Sequence, residues 1–136
     1  MTEIGHIRAA TVVEAAVPFR FRVVHGVDPT RKSSEQKAMT KSLSMTGLVF
    51  EIGGVEVDGM HISFTEESFG RNFLEIYLEL GRKLEAVRLV GQVEWYEARL
   101  SRTAHVFVVG VNFVDIQPDA IVLLREYLRS LQGLLR

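Results

Sequence analysis

Cysteine is missing from all 136 residues, which excludes disulfide frameworks and thiolate metal sites and fits a reducing compartment. No apolar run is long enough to cross a bilayer. The opening Met1-Thr2-Glu3-Ile4-Gly5-His6 lacks the basic and apolar stretches of a secretory leader, so a cytoplasmic address is the expectation. Charge of one sign is not in excess either. Sixteen Lys and Arg against seventeen Asp and Glu leave a formal net charge of −1, which offers no general attraction to a polyanion and argues against a nucleic-acid binder. The histidines are few, and His6, His25, His61 and His105 show no metal-ligand spacing; packed or surface roles are expected. Ser42, Ser44 and Ser63 have no adjacent His and Asp, and Glu66-Glu67 reads as a solvated acidic turn rather than an acid–base pair. Trp95 and Tyr96 sit on opposite faces of a strand and make no stacking platform for single-stranded nucleic acid. An enzyme is not expected.

What the chain does have is alternation. With 47% hydrophobic residues, and without linker, low-complexity tract or internal repeat, it reads as one globular domain with a real core. Val17 to His25 places Phe19, Phe21 and Val23 on one face, with Pro18 at the start of the strand where a missing amide does least harm. A polar loop from Gly26 carries Arg31, Lys32, Ser33 and Ser34. Strands follow at Lys37 to Ser42, Leu48 to Ile52 and His61 to Thr65. Residues 65–80 fit two periods. Leu74, Ile76, Leu78 and Leu80 alternate like a strand, whereas Phe69, Phe73, Ile76 and Leu80 also stand at helical spacing. Persistence of the alternation to Gly81, and Gly70 at the helix start, favour the strand. Two long strands follow, one with Val87, Leu89, Val93 and Trp95 on a face and one with Phe107, Val109, Val111 and Phe113.

The end differs in kind. Pro118 suits a first helical turn, Asp119 complements its positive end, and Ile121, Leu124, Leu128, Leu131 and Leu135 make one apolar stripe. Leu123 and Tyr127 widen the apolar surface enough to leave room for a partner. The prediction is an all-β fold with a C-terminal helix over residues 118–135: a six- to seven-stranded antiparallel barrel, closed to remove its edges and capped by that helix. The abundance of large apolar side chains argues for a filled barrel rather than one enclosing a small apolar ligand. Residues 1–16 read as an N-terminal arm and 17–136 as the barrel with its helix.

One stretch is more specific. In Ser42-Leu43-Ser44-Met45-Thr46-Gly47-Leu48 a strand ends in small hydroxyl residues, turns through a glycine and resumes as an apolar strand. Gly47 is expected to give a tight turn through positive φ, and Ser44 and Thr46 can bond the turn's own amides or face a ligand. This turn resembles the second signature of PilZ domains, the receptors and adaptors of bacterial cyclic di-GMP signalling, whose pattern is Asp or Asn, any residue, Ser, two residues, Gly. Ser44 and Gly47 match; Ser42 replaces the Asp or Asn. Gly91-Gln92-Val93-Glu94-Trp95, Gly110-Val111-Asn112-Phe113 and Val17-Pro18-Phe19-Arg20-Phe21-Arg22 are similar to other strands of that family, in the family's order.

The resemblance implies a nucleotide site. The family grips cyclic di-GMP with an Arg-x-x-x-Arg pair before the first strand, since guanidinium stacks on guanine and forks onto phosphate or onto O6 and N7. Aligned on the first strand, Arg8 takes the first place and Val12 the second. An alternative alignment ends the motif at Phe21-Arg22-Val23 and leaves Pro18 at the other arginine position; either way one arginine is lost. The expected nucleotide-binding residues are Arg8, Ser42, Ser44 and Gly47. Loss of one charge-assisted arginine contact weakens binding about tenfold to a hundredfold, unless Arg20, Arg22 or Arg31 compensates. The basic run Arg31, Lys32, Lys37, Lys41 reads first as a solvated edge. The region from Ser63 to Glu85 is longer than such a barrel needs and could add a strand. The function implied is a non-catalytic, cyclic di-GMP-linked adaptor with an impaired site, whose arm orders around ligand and engages an output protein; the rival is a nucleotide-independent adaptor of the same fold in motility or secretion control. No cofactor beyond that ligand, no nucleic acid and no membrane insertion are expected, while a homodimer is compatible with the sequence.

Overall fold

The computed structural model describes residues 11–66, 70–81, 86–100 and 103–134. The alternating segments become strands: β1 (Pro18–Val24), β2 (Gln36–Leu43), β3 (Gly47–Ile52), β6 (Phe73–Leu78), β7 (Val87–Leu100) and β8 (His105–Val114). They close into an antiparallel barrel in the order β1-β2-β3-β8-β7-β6. Closure comes from β1, which pairs with β2 on one side and with β6 on the other. A two-residue hairpin, β4 (Glu56–Val57) with β5 (Met60–His61), lies outside that sheet.

Period-2 burial explains the barrel. Phe19, Phe21 and Val23 of β1, Leu74, Ile76 and Leu78 of β6, and Val87, Leu89 and Val93 of β7 all face inward and are buried. At the centre Phe19, Phe21 and Phe50 pack with ring centroids 5.2–5.9 Å apart, one pair edge to face. Each such aromatic pair adds about 0.5–1.5 kcal/mol beyond its area burial. The interior is filled by large side chains, as expected for six strands. Residues 73–78 are strand and not helix, because tertiary pairing with β1 and β7 uses their alternation on both edges.

Two expectations change. The segment His61 to Thr65 is not a barrel strand: the His61 imidazole Nδ1 accepts hydrogen bonds from the amides of Ser63 (2.9 Å) and Phe64 (3.2 Å), which curls the chain into a turn. The extra length between Ser63 and Glu85 adds no further strand among the described residues. Within it Phe64 bridges Arg71, and the Asn72 side-chain amide donates to the carbonyls of His61 (2.7 Å) and Phe64 (3.0 Å). The second change is on β7. Trp95 does not share the inward face of Val87, Leu89 and Val93, because a β-bulge between Val93 and Trp95 inserts Glu94 and reverses the alternation.

The C-terminal helix α1 (Pro118–Leu134) begins as predicted, with Pro118 and Asp119 in its first turn and the Ile121 amide donating to the Gln117 carbonyl at 3.0 Å. Ala120, Leu124 and Leu128 are buried against the barrel, and Ile121 and Leu131 are half-buried at the margins of the stripe. Among the described residues no helix is long and apolar enough to cross a membrane.

Candidate functional site

The hydroxyl turn between β2 and β3 is built around Ser44. Its amide donates to the Gly47 carbonyl at 2.9 Å, and its buried hydroxyl accepts from the amides of Thr46 (3.1 Å) and Gly47 (3.2 Å). Of the two roles open to it in sequence, Ser44 therefore takes the first: it satisfies the turn. Gly47 is required for a reason other than the one expected. Positive φ falls at Asp58, Asp115, Gly59 and Gly81, not at Gly47. A Cβ on Gly47 would instead lie 2.0 Å from the Val111 carbonyl oxygen, so the absence of a side chain lets β3 approach β8. The Phe113 amide donates to Thr46 O at 2.8 Å and ties the turn to β8.

Ser42 is half-buried and lies opposite Val49, just after a bulge at Lys41. Residues ahead of β1 run along β2. Val13 exchanges two backbone hydrogen bonds with Leu43 (2.8 and 2.9 Å), and the Thr40 hydroxyl accepts from the Val17 amide and donates to the Ala15 carbonyl. Of the arm expected over residues 1–16, residues 11–16 are described, and Val13 joins the core. Arg8 lies outside the described residues.

This docking turns Val12 outward. Val12, Ser42, Thr46, Trp95, Asn112 and Glu94 surround an open cleft of about 150 Å³ on the outer barrel wall, with Ser44 and Gly47 at its edge. The position where the resemblance puts the second arginine thus lies in the same cleft as the serine-glycine turn. Trp95 forms one wall and packs against Gly110, where an added Cβ would sit 2.3 Å from the indole. The sequence pattern missed Trp95 as a site residue because the bulge at Glu94 is invisible to simple alternation; the glycine opposite it was the available signal.

Charge around the cleft is spare. Among the described residues lining it, Glu94 is ionisable as an acid and none is Lys or Arg. A wider hollow beside it, about 530 Å³, brings Lys41 and Arg99 near Ser42 and Trp95. These cations stand 3.7 Å from Glu51 and 3.8 Å from Glu97 respectively. A third cavity of about 540 Å³, behind the turn, lies between Thr11, Val13 and Met45 and the helix residues Arg125 and Arg129.

The three arginines that could compensate in sequence are committed elsewhere. Arg20 donates to Glu35 at 3.0 Å and lies over the Tyr77 ring. Arg22 reaches Glu35 and Glu75. Arg31 binds Glu66 at 2.6 Å and holds that carboxyl down at about 2. None of the three lines the cleft. Two histidines serve turns: besides His61, the buried His25 accepts from the amides of Val27 and Asp28 through Nδ1. Among the described residues no cluster of His, Asp and Glu could hold a metal ion.

No protein-family model matches this sequence, and neither does any curated protein. Solved structures do. The PilZ domain of Escherichia coli YcgR, determined with c-di-GMP, is similar at a TM-score of 0.61 and 12% identity, covering 93% of this chain and 92% of that one. K. pneumonia MrkH in its apo state is similar at 0.62 and 10% identity over 89% of this chain. Bacillus subtilis MotI, an inhibitor of motility, is similar at 0.53 and 12% identity over 90%. This chain spans about half the length of the last two, at 49% of each. Closed barrel and trailing helix together define the class of fold. The fold is PilZ-like.

Proposed function

We propose that this chain is a non-catalytic PilZ-like signalling module whose cleft beside the Ser44–Gly47 turn is an impaired cyclic di-GMP site. The observation that carries this reading is the charge of the cleft. Cyclic di-GMP brings two phosphates, yet the described lining offers the Glu94 carboxylate and no cation. Val12 fills the second arginine position, and the Ser44 hydroxyl is already engaged by its own turn. In this reading Arg8 is the one arginine of the pair left to act, and Ser42 and the Gly47 backbone are the groups that would act with it. Binding is then weak or absent at physiological ligand levels.

The test is a calorimetric titration with cyclic di-GMP at fixed salt, followed in parallel by fluorescence of Trp95, the single tryptophan. Ionic strength must be held constant because it screens the arginine–phosphate terms. The double variant Val12→Arg/Ser42→Asp should bind at least about tenfold more tightly than wild type, since it restores a fork donor and an acceptor. Tight wild-type binding that survives Arg8→Ala would show that the site is misplaced.

A second reading is a constitutive adaptor that ignores nucleotide and binds a motility or secretion partner. It is favoured by the self-satisfied Ser44 turn and by the fold likeness to MotI, whose name records control of motility. Failure of the double variant to bind at all would favour it.

A further inference from the structure

Strand β7 outgrows its sheet. β6 pairs with it only from Val87 to Gly91, and the Arg71 guanidinium then caps the Val93 carbonyl. After the unpaired bulge residue Glu94, β7 is paired from Trp95 to Leu100 on one side by β8, and among the described residues no strand lies against the other side of 94–100. All seven of these residues are exposed, including Leu100 at 73% and Tyr96 at 37%. An edge of this length is a template for another strand, and its charged Glu97 and Arg99 disfavour any strand that does not pair them with opposite charge. The bulge at Glu94 marks where it begins.

We propose that two copies of this chain associate through this edge, antiparallel, with Ala98 on the two-fold axis. The edge sequence selects the partner and the register. In a continuous sheet, opposite residues share a face, so a two-fold axis perpendicular to it must centre on one residue and not between two. Centring on Glu97 or on Arg99 sets a like charge against itself. Centring on Tyr96 sets Trp95 against Glu97 and forms no ion pair. Centring on Ala98 sets Glu97 opposite Arg99 twice and Tyr96 opposite Leu100 twice, on the two faces of the sheet. The chain already brings Glu97 and Arg99 to 3.8 Å on one face, and the dimer exchanges that contact for two between copies. The exposed Leu100 side chain gains the partner's Tyr96 ring, which already sits beside Phe107.

The test is sedimentation velocity on the full chain across a concentration series, without nucleotide. Wild type should form dimers. Arg99→Glu and Glu97→Arg should each weaken association at least about tenfold, by placing like charges opposite one another. The charge swap Glu97→Arg/Arg99→Glu should restore it, because the pair is symmetric. Circular dichroism of the variants verifies that the fold is kept. A wild type that stays monomeric at hundred-micromolar concentration, a dimer indifferent to the single changes, or a swap that does not rescue would each overturn the proposal.

Discussion

Gly47 and Glu75 show how single residues set what this barrel tolerates. A methyl at Gly47 meets the backbone of β8, which cannot yield as a side chain would, so Gly47→Ala should cost about 1–3 kcal/mol. Gly53→Ala meets nothing within 4 Å and should lie within about 0.5 kcal/mol of wild type. Urea midpoints of the two variants make the comparison. Glu75 is buried within a ring of cations: Arg88 at 2.8 Å, Arg22 at 3.5 Å and Lys32 at 3.8 Å. Burial opposes its ionisation, but the Arg88 hydrogen bond, a Tyr77 hydrogen bond and the surrounding positive charge outweigh that and hold the carboxyl below its ordinary 4.5. A carboxyl lowered on folding adds stability that is fully present above the unfolded pKa and is lost as pH falls through the folded one. Glu75→Gln should therefore cost about 1–2 kcal/mol at pH 7, while its stability converges with wild type as pH falls through the lowered pKa of the folded state. A pair of urea titrations at neutral and acid pH checks the sign.

Among the elements, α1 and β7 carry the same kind of periodic pattern, which matches the buried face throughout α1 and only as far as Val93 on β7. The helical stripe was legible because a 3.6-residue period over seventeen residues admits few alternatives, and its Leu124 is fully buried. Leu124→Ala should destabilise by about 2–5 kcal/mol, whereas Leu123→Ala, 38% exposed on the flank, should cost less than about 1 kcal/mol. Urea denaturation followed by far-ultraviolet circular dichroism measures both. On β7 simple alternation carries the inward face through Trp95 without interruption. The added residue Glu94 shifts every later side chain to the other face, and nothing in the pattern marks a one-residue bulge.

For the whole molecule, the order of strands in the sheet is what brings the site together. Val12, Ser42, Trp95 and Asn112 come from the segment before β1, from β2, from β7 and from β8, and they meet because β3 and β8 are neighbours in the barrel order. The impaired-site proposal has a thermal readout at this scale, since a ligand that binds only the folded state stabilises it by mass action. Cyclic di-GMP should leave the wild-type melting midpoint essentially unmoved and raise that of Val12→Arg/Ser42→Asp, as a scan at matched ligand concentration would show.

The sequence by itself determined the strand faces of β1, β6 and β8, the existence of β2 and β3, the helix with its start, and the serine-glycine turn, because each depends on local period or local backbone chemistry. It did not determine why Gly47 must be glycine, where Trp95 points, or which arginines remain near the cleft. Those depend on what lies across the barrel: a carbonyl of β8, a bulge against Gly110, and the carboxylates Glu35, Glu66 and Glu75 that capture Arg20, Arg22 and Arg31. Partners of that kind lie on other segments, at least 13 residues away along the chain as Glu35 is from Arg22, and only the strand pairing of the barrel puts them within reach.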